Sequence, residues 1–118
     1  MAADNLRLFG IKNCDTVKKA KRWLDEQQMD YAFHDFRVDG LSREQVEQWV
    51  GELGWETLVN KRSTTWKGLD SATRDSLNDD SVVEIILENP TLIKRPLLDT
   101  GSERHVGFKA DQYQALLG

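Results

Sequence analysis

Cys14 is the one cysteine among 118 residues, and it stands where a thiol can do chemistry. It follows the short apolar stretch Leu6-Arg-Leu-Phe9 and the segment Gly10-Ile-Lys-Asn13, and it directly precedes a helical pattern beginning near Asp15. The first-turn N–H groups of a helix lack partners, and they stabilise a thiolate at the helix start. Lys12, Lys18 and Lys19 add positive charge nearby, whereas Asp15 opposes it. An exposed helix terminus contributes about 0.3–1 kcal/mol, less than one pKa unit, so strong activation requires further partners. A free cysteine can equally pack as a small apolar group. The polar flanks Asn13 and Asp15 favour the reactive reading.

Arg62 and Arg95 lie in irregular sequence beside element ends, in Asn60-Lys-Arg-Ser63 and Lys94-Arg-Pro96. A planar guanidinium in such a place can hold an oxyanion or a carboxylate with two hydrogen bonds. Most lone arginines are solvated surface groups, so each is a candidate only. Lys12 and Asn13 join them as candidate anion-binding residues because they precede the thiol. Pro96 opens a predicted strand, and the local sequence does not choose between a cis and a trans bond there. His34 and His105 fall in predicted strands and read as ordinary strand residues. Trp23 and Trp49 fit helix core faces, while Trp66, beside the Arg62 loop, is either a pocket wall or packing.

These side chains need a scaffold, and the composition supports one. Hydrophobic residues make up 39% of the chain and include four Trp, enough for a single core. Charged residues make up 31% with a net charge of −4, without the basic excess of a general nucleic-acid binder. No apolar run approaches the roughly 20 residues that span a bilayer. The N-terminal MAADNLRLFG lacks the pattern of a signal peptide, so a cytoplasmic protein is expected. One cysteine forms no internal disulfide, and with two histidines it makes no convincing zinc set, so no metal is expected.

Leu6–Phe9 reads as a strand. Val17, Ala20, Trp23 and Leu24 recur at helical spacing, and Tyr31–Phe36 reads as a second strand. A strand, helix and strand within about 30 residues make a βαβ unit with parallel strands. Ser42 and Gln45 match a capping box, with Val46, Trp49, Val50 and Leu53 on one face of the helix that follows. The polar run Asn60–Thr65 reads as a loop, and Asp70 caps a short helix through Leu77. Ser81 and Glu84 match a second capping box, and Asn89-Pro90 stops that helix. Leu97-Leu98, the turn Asp99-Thr-Gly-Ser102 and a strand over Glu103–Gly107 form a hairpin. A final helix from about Lys109 carries Ala110, Tyr113 and Leu117 on one face. The expectation is a single α/β domain over residues 1–118, with a mixed sheet and a helical insertion at about 41–90.

Phe9-Gly-Ile-Lys-Asn-Cys-Asp-Thr16, Lys18-Lys-Ala-Lys-Arg-Trp-Leu24, Asn60-Lys-Arg-Ser63, Glu88-Asn-Pro90 and Leu92-Ile-Lys-Arg-Pro-Leu97 occur in this order. Together they resemble the arsenate-reductase-related family that includes ArsC and Spx, and especially its YffB-like branch. The resemblance implies a thioredoxin-like fold with a four-stranded mixed sheet. It implies that Cys14 is the nucleophile, that Arg62 and Arg95 are oxyanion-binding arginines, and that Pro96 matches a cis-proline facing the site. Three positions depart from the pattern of the arsenate reductases. Gly10 stands where they carry histidine, Asp15-Thr-Val17 replaces Gly-Thr-Ser, and His105-Val-Gly-Phe-Lys109 holds no third arginine. Val17 also stands where Spx regulators carry the second cysteine of Cys-x-x-Cys.

The resemblance therefore implies a glutathione-dependent thiol reductase whose single nucleophile is resolved by an external thiol. Glutathione, alone or with glutaredoxin, is the expected donor, and an oxidised thiol or an oxyanion the expected substrate. Thiol exchange needs no tightly bound cofactor. Two other readings are arsenate reduction coupled to glutathione or glutaredoxin, and an Spx-like regulatory module that binds protein without catalysis. No nucleic-acid or membrane partner is expected.

Overall fold

A computed structural model describes residues 6–117. The chain divides into two compact units, Met1–Asp39 together with Arg95–Gly118, and Gly40–Lys94.

The first unit is built on a four-stranded sheet of order β2-β1-β3-β4. Strand β1 (Arg7–Gly10) leads to helix α1 (Asp15–Glu26) and on to β2 (Ala32–Asp35). β1 and β2 are parallel, with Leu8 opposite Phe33 and Gly10 opposite Asp35. The hairpin strands β3 (Leu97–Asp99) and β4 (Arg104–Val106) precede the C-terminal helix α7 (Ala110–Leu117). β3 runs antiparallel to β1, with Phe9 opposite Leu97, and antiparallel to β4. This is the mixed sheet that the βαβ and hairpin patterns predict, in the thioredoxin-like arrangement that the family resemblance implies. The hairpin turn uses Gly101 at φ 94°, where a residue with a Cβ is strained, and Asp99 Oδ1 accepts its N–H at 2.8 Å.

One face of the sheet packs on the two helices. Leu6, Leu8 and Leu98 meet Val17, Ala20, Leu24 and Tyr113 in one buried cluster. The α1 positions are those predicted from periodicity, except that Trp23 lies at the edge of the cluster, partly buried. Burial of each such Leu or Val contributes about 1.5–3 kcal/mol. Tyr113 packs edge-on against Trp23 and Phe108, at centroid distances of 5.7 and 4.8 Å. On α7, Tyr113 is buried and Leu117 partly so, but Ala110 is exposed, one turn earlier than its predicted core role.

The second unit contains the helices read at about 41–90. They are α2 (Arg43–Leu53), α3 (Trp55–Leu58), α4 (Thr64–Gly68), α5 (Ser71–Asp75) and α6 (Ser81–Glu88), followed by a 3-10 turn at Pro90–Leu92. Val46, Trp49, Val50, Leu58, Val82, Val83, Ile86, Leu92 and Ile93 are buried there. The Ser42–Gln45 capping box is fully formed, with bonds of 3.1 and 3.2 Å. Asp70 caps α5 as expected, though that helix stops at Asp75, short of Leu77.

Two further readings change. The polar run at 60–65 is not wholly loop, because Ser63 accepts the Trp66 N–H at 3.1 Å and starts α4. The second capping box sits three residues earlier than read. Asn78 Oδ1 accepts the Ser81 N–H at 2.8 Å, Ser81 Oγ accepts the Asn78 N–H at 3.0 Å, and Glu84 pairs with Arg43 instead.

Candidate functional site

Cys14 is the N-cap residue of α1, extended at φ −129° and ψ 121°. Its carbonyl accepts the Lys18 N–H at 3.0 Å and closes the first helical turn. Its side chain makes no capping hydrogen bond, so the sulfur is not committed to the helix end. Cys14 is half-buried at the edge of the α1 cluster, while Lys12, Asn13 and Asp15 are exposed. The helix-start placement read from the sequence is therefore the one observed.

The loop before the thiol is short and held from one side. Residues 11–14 join β1 to α1, and the Gly10 carbonyl accepts the Phe36 N–H from the end of β2 at 2.8 Å. The Lys12 N–H donates to Asp35 Oδ2 at 3.2 Å. Asp35 is the buried charged residue of this region, 5% exposed, and its other oxygen accepts the Arg37 and Val38 N–H groups at 2.8 and 3.3 Å. Burial alone would push this carboxyl up, but the three backbone N–H donors and the charge of Lys12 outweigh it, and its pKa is lowered. Asp35 falls within Tyr31–Phe36, the stretch that reads as a strand. No local pattern flags it, because its partner Lys12 lies 23 positions away.

Gly10 allows the helix to approach the strand. A Cβ on residue 10 would stand 2.7 Å from Val17 Cγ2, and Val17 is fully buried. Glycine is needed here for space, since its φ is unexceptional.

Arg95 and Pro96 belong to the same unit as Cys14 and immediately precede β3. β3 starts at Leu97 opposite Phe9 and runs antiparallel to β1, so Arg95 and Pro96 enter the sheet at the end where β1 leads into the Cys14 loop. The Arg95–Pro96 peptide is cis, Pro96 is buried, and its carbonyl accepts the Gly107 N–H at 2.9 Å. The topology thus gathers Lys12, Asn13, Cys14, Arg95 and Pro96 at one end of one sheet.

Arg62 belongs to the second unit. It is exposed, its N–H donates to Asn60 Oδ1 at 3.0 Å, and its guanidinium makes no ion pair among the described residues. Beside it, Trp55 and Trp66 stack at 6.2 Å with their planes 25° apart, and Lys61 Nζ lies 5.1 and 5.9 Å from the two ring centres. Trp66 therefore packs on another indole. His34 and His105 lie in β2 and β4, as read.

An open pocket of about 310 Å³, lined by Arg7, Asp99, Gly101 and Arg104, lies at the start of β1, the end away from Cys14. Among the described residues no cluster of three or more His, Cys, Asp or Glu side chains is placed to hold a metal ion. No described helix is long and apolar enough to cross a membrane.

Residues 9–116 match the model of the ArsC family. An uncharacterized protein of Haemophilus influenzae is 46% identical over 110 residues, covering 93% of this chain and 96% of that one. The global transcriptional regulator Spx of Streptococcus agalactiae is 29% identical, over 95% of this chain and 82% of that one. Among solved structures, the YFFB protein superposes with a TM-score of 0.92 at 44% identity, covering 96% of this chain and 99% of the other. An arsenate reductase related protein from Brucella melitensis follows, with a TM-score of 0.77 at 39% identity and coverages of 94% and 92%.

Proposed function

Because this chain belongs to the ArsC family, in its YffB-like branch, we propose that it is a glutathione-dependent thiol reductase acting through Cys14. The observation that carries the reading is a half-buried thiol at a helix start whose sulfur is not used as a cap. A thiol so placed can form and release a mixed disulfide.

The chemistry requires two exchanges. The Cys14 thiolate attacks the glutathione sulfur of a mixed disulfide R–S–S–G. A Cys14–glutathione disulfide forms, the original S–S bond breaks, and R–S⁻ leaves with the bonding pair. A glutathione thiolate then attacks the glutathione sulfur of that adduct, forms glutathione disulfide and releases Cys14 as thiolate. The net reaction converts R–S–S–G and one glutathione to R–SH and glutathione disulfide. With one cysteine in the chain, the second attack must come from outside. Arg95, Lys12 and Asn13 supply charge and hydrogen-bond donors for glutathione carboxylates; Arg62, in the second unit, is an anion-binding arginine by family resemblance. Glutaredoxin is an alternative donor of the resolving thiol, and the reaction suits a reducing cytoplasm.

The test is steady-state reduction of a glutathionylated peptide by glutathione, with wild type and Cys14→Ser compared. Turnover is expected in the wild type and loss of it in the variant. Equal turnover in both would sink the mechanism.

The likeness to Spx favours a second reading, a regulatory module that binds a protein partner without catalysis. Wild type inactive with every disulfide tested, yet retaining RNA polymerase subunits in a pull-down unaffected by Cys14→Ser, is the result that selects it. Arsenate reduction is the third reading, and it requires Cys14-dependent arsenite formation with saturating arsenate.

A further inference from the structure

We infer that Asp35 is the positioning residue of the Cys14 loop. The inference rests on the thiol chemistry proposed above for its catalytic consequence, but its structural part stands independently. Asp35 is the last residue of β2 and the register partner of Gly10. Its two carboxylate oxygens serve two different segments. Oδ1 accepts from Arg37 and Val38 and fixes the turn that leaves β2, at 2.8 and 3.3 Å. Oδ2 crosses to the β1–α1 loop and accepts from Lys12 at 3.2 Å.

The backbone that carries the carboxylate is in turn tied to Asp39. The Asp35 N–H donates to Asp39 Oδ2 at 3.0 Å, and its carbonyl accepts the Asp39 N–H at 2.8 Å. At 5% exposure it is shielded from competing water. A hydrogen bond between a buried carboxylate and a backbone N–H is stronger than a neutral one. Lys12 lies two residues before Cys14, in the loop that follows the Phe36-to-Gly10 bond at the end of β1. Asp35 therefore sets where the chain turns into α1, and so where the Cys14 sulfur sits relative to the first-turn N–H groups.

The two oxygens can be separated by substitution. In Asp35→Asn the amide keeps one acceptor for the β2 turn but turns an NH₂ donor toward the Lys12 N–H. Asp39→Asn disturbs the same turn without touching Lys12, and serves as control. An amide-to-ester replacement at Lys12 deletes only the donated N–H, and it decides the matter should Asp35→Asn fail to fold.

Amide hydrogen exchange is the first readout. Asp35→Asn is expected to speed exchange of the Lys18 amide, which donates to the Cys14 carbonyl, by about tenfold, the scale of one lost hydrogen bond, and the Lys12 ester to do the same. Asp39→Asn is expected to leave that amide unchanged. The second readout is kinetic. With the glutathionylated peptide, Asp35→Asn is expected to lower kcat while KM stays near the wild-type value, because attack geometry is lost and binding groups are retained. The inference is overturned if the Lys18 amide exchanges at the wild-type rate in Asp35→Asn or in the ester. It is equally overturned if Asp39→Asn accelerates it as much, or if kcat is unchanged. Absence of turnover in the wild type would remove the reductase reading, while the exchange comparison still decides the positioning role.

Discussion

Val17 occupies the space into which a side chain at residue 10 would grow: a Cβ there would stand 2.7 Å from Val17 Cγ2. The two positions flank the thiol, four residues before it and three after it. The side chains allowed at residues 10 and 17 are therefore coupled through one contact.

That coupling is measurable in stability. Gly10→Ala is expected to cost about 1–3 kcal/mol, because a β-branched side chain in a helix has one strongly preferred rotamer and cannot swing aside. Val17→Ala costs about 2 kcal/mol through the cavity it leaves. The double variant should be less destabilised than the sum of the two, since the new methyl fills part of that cavity. Urea unfolding of the four proteins gives the coupling. Strict additivity would show that the contact is relieved elsewhere. The same cycle with Gly10→His and Val17→Ser should show the larger side chain tolerated only beside the smaller one.

A second prediction concerns Tyr113. It is fully buried, and its hydroxyl has no hydrogen-bond partner among the described residues. Tyr113→Phe removes that hydroxyl, keeps the edge-on ring contacts, and should be neutral or stabilising by about 1 kcal/mol. Burial pushes the Tyr113 pKa well up. The neutral phenol is thus the folded form. Its contribution is full below the unfolded value of about 10 and is lost as pH rises toward the folded value. Thermal melts across that alkaline range should fall less steeply in Tyr113→Phe than in wild type. Tyr31 is also raised, by burial and then by the charge of Asp25, so Tyr31→Phe provides the matched comparison.

The start of α6 yields a third. Asn78→Ala removes the oxygen that accepts the Asp80 and Ser81 N–H groups, at 2.9 and 2.8 Å, and should cost about 1 kcal/mol. Glu84→Gln breaks only an exposed pair with Arg43, worth about 0–1 kcal/mol and weaker in salt. Comparing denaturation midpoints separates the two. A larger loss for Glu84→Gln would restore the Ser81–Glu84 box that the local pattern suggested.

These cases mark what the sequence makes legible. The β1–Cys14–α1 junction is written locally: an apolar strand, a polar break, then Val17, Ala20 and Leu24 at helical spacing. Ser42 and Gln45 announce their cap for the same reason. Where two caps overlap within a few residues, as at Asn78, Ser81 and Glu84, type and spacing fit both, and only the helix start selects between them. Helix α4 hides because five residues carry too little periodicity, and its cap Ser63 sits in a polar run. Arg95 and Pro96 reach the Cys14 end of the sheet through strand register, which local spacing does not encode. Asp35 is invisible for the strongest form of this reason. An aspartate ending a strand is ordinary until the strand pairs in parallel and brings Lys12 to its second oxygen.

Asp35 also leaves a mark in acid. Its carboxyl is buried, which by itself raises the pKa, but three backbone N–H donors and Lys12 lower it on balance. A carboxylate lowered on folding contributes stability that is full above its unfolded value of about 3.9 and lost as pH falls through the folded value. Asp70 is lowered as well, chiefly by its hydrogen bond from the Thr73 hydroxyl, so it shares this acid limb. Asp35→Asn, which cannot ionise, should therefore be less stable than wild type near neutrality and converge toward it as pH drops below about 4. Asp70→Asn should shift the same limb without changing exchange of the Lys18 amide. Urea midpoints measured from pH 7 down through the carboxylate range test both variants. A constant gap between Asp35→Asn and wild type at every pH would mean that the carboxylate charge is not what holds the Lys12 N–H.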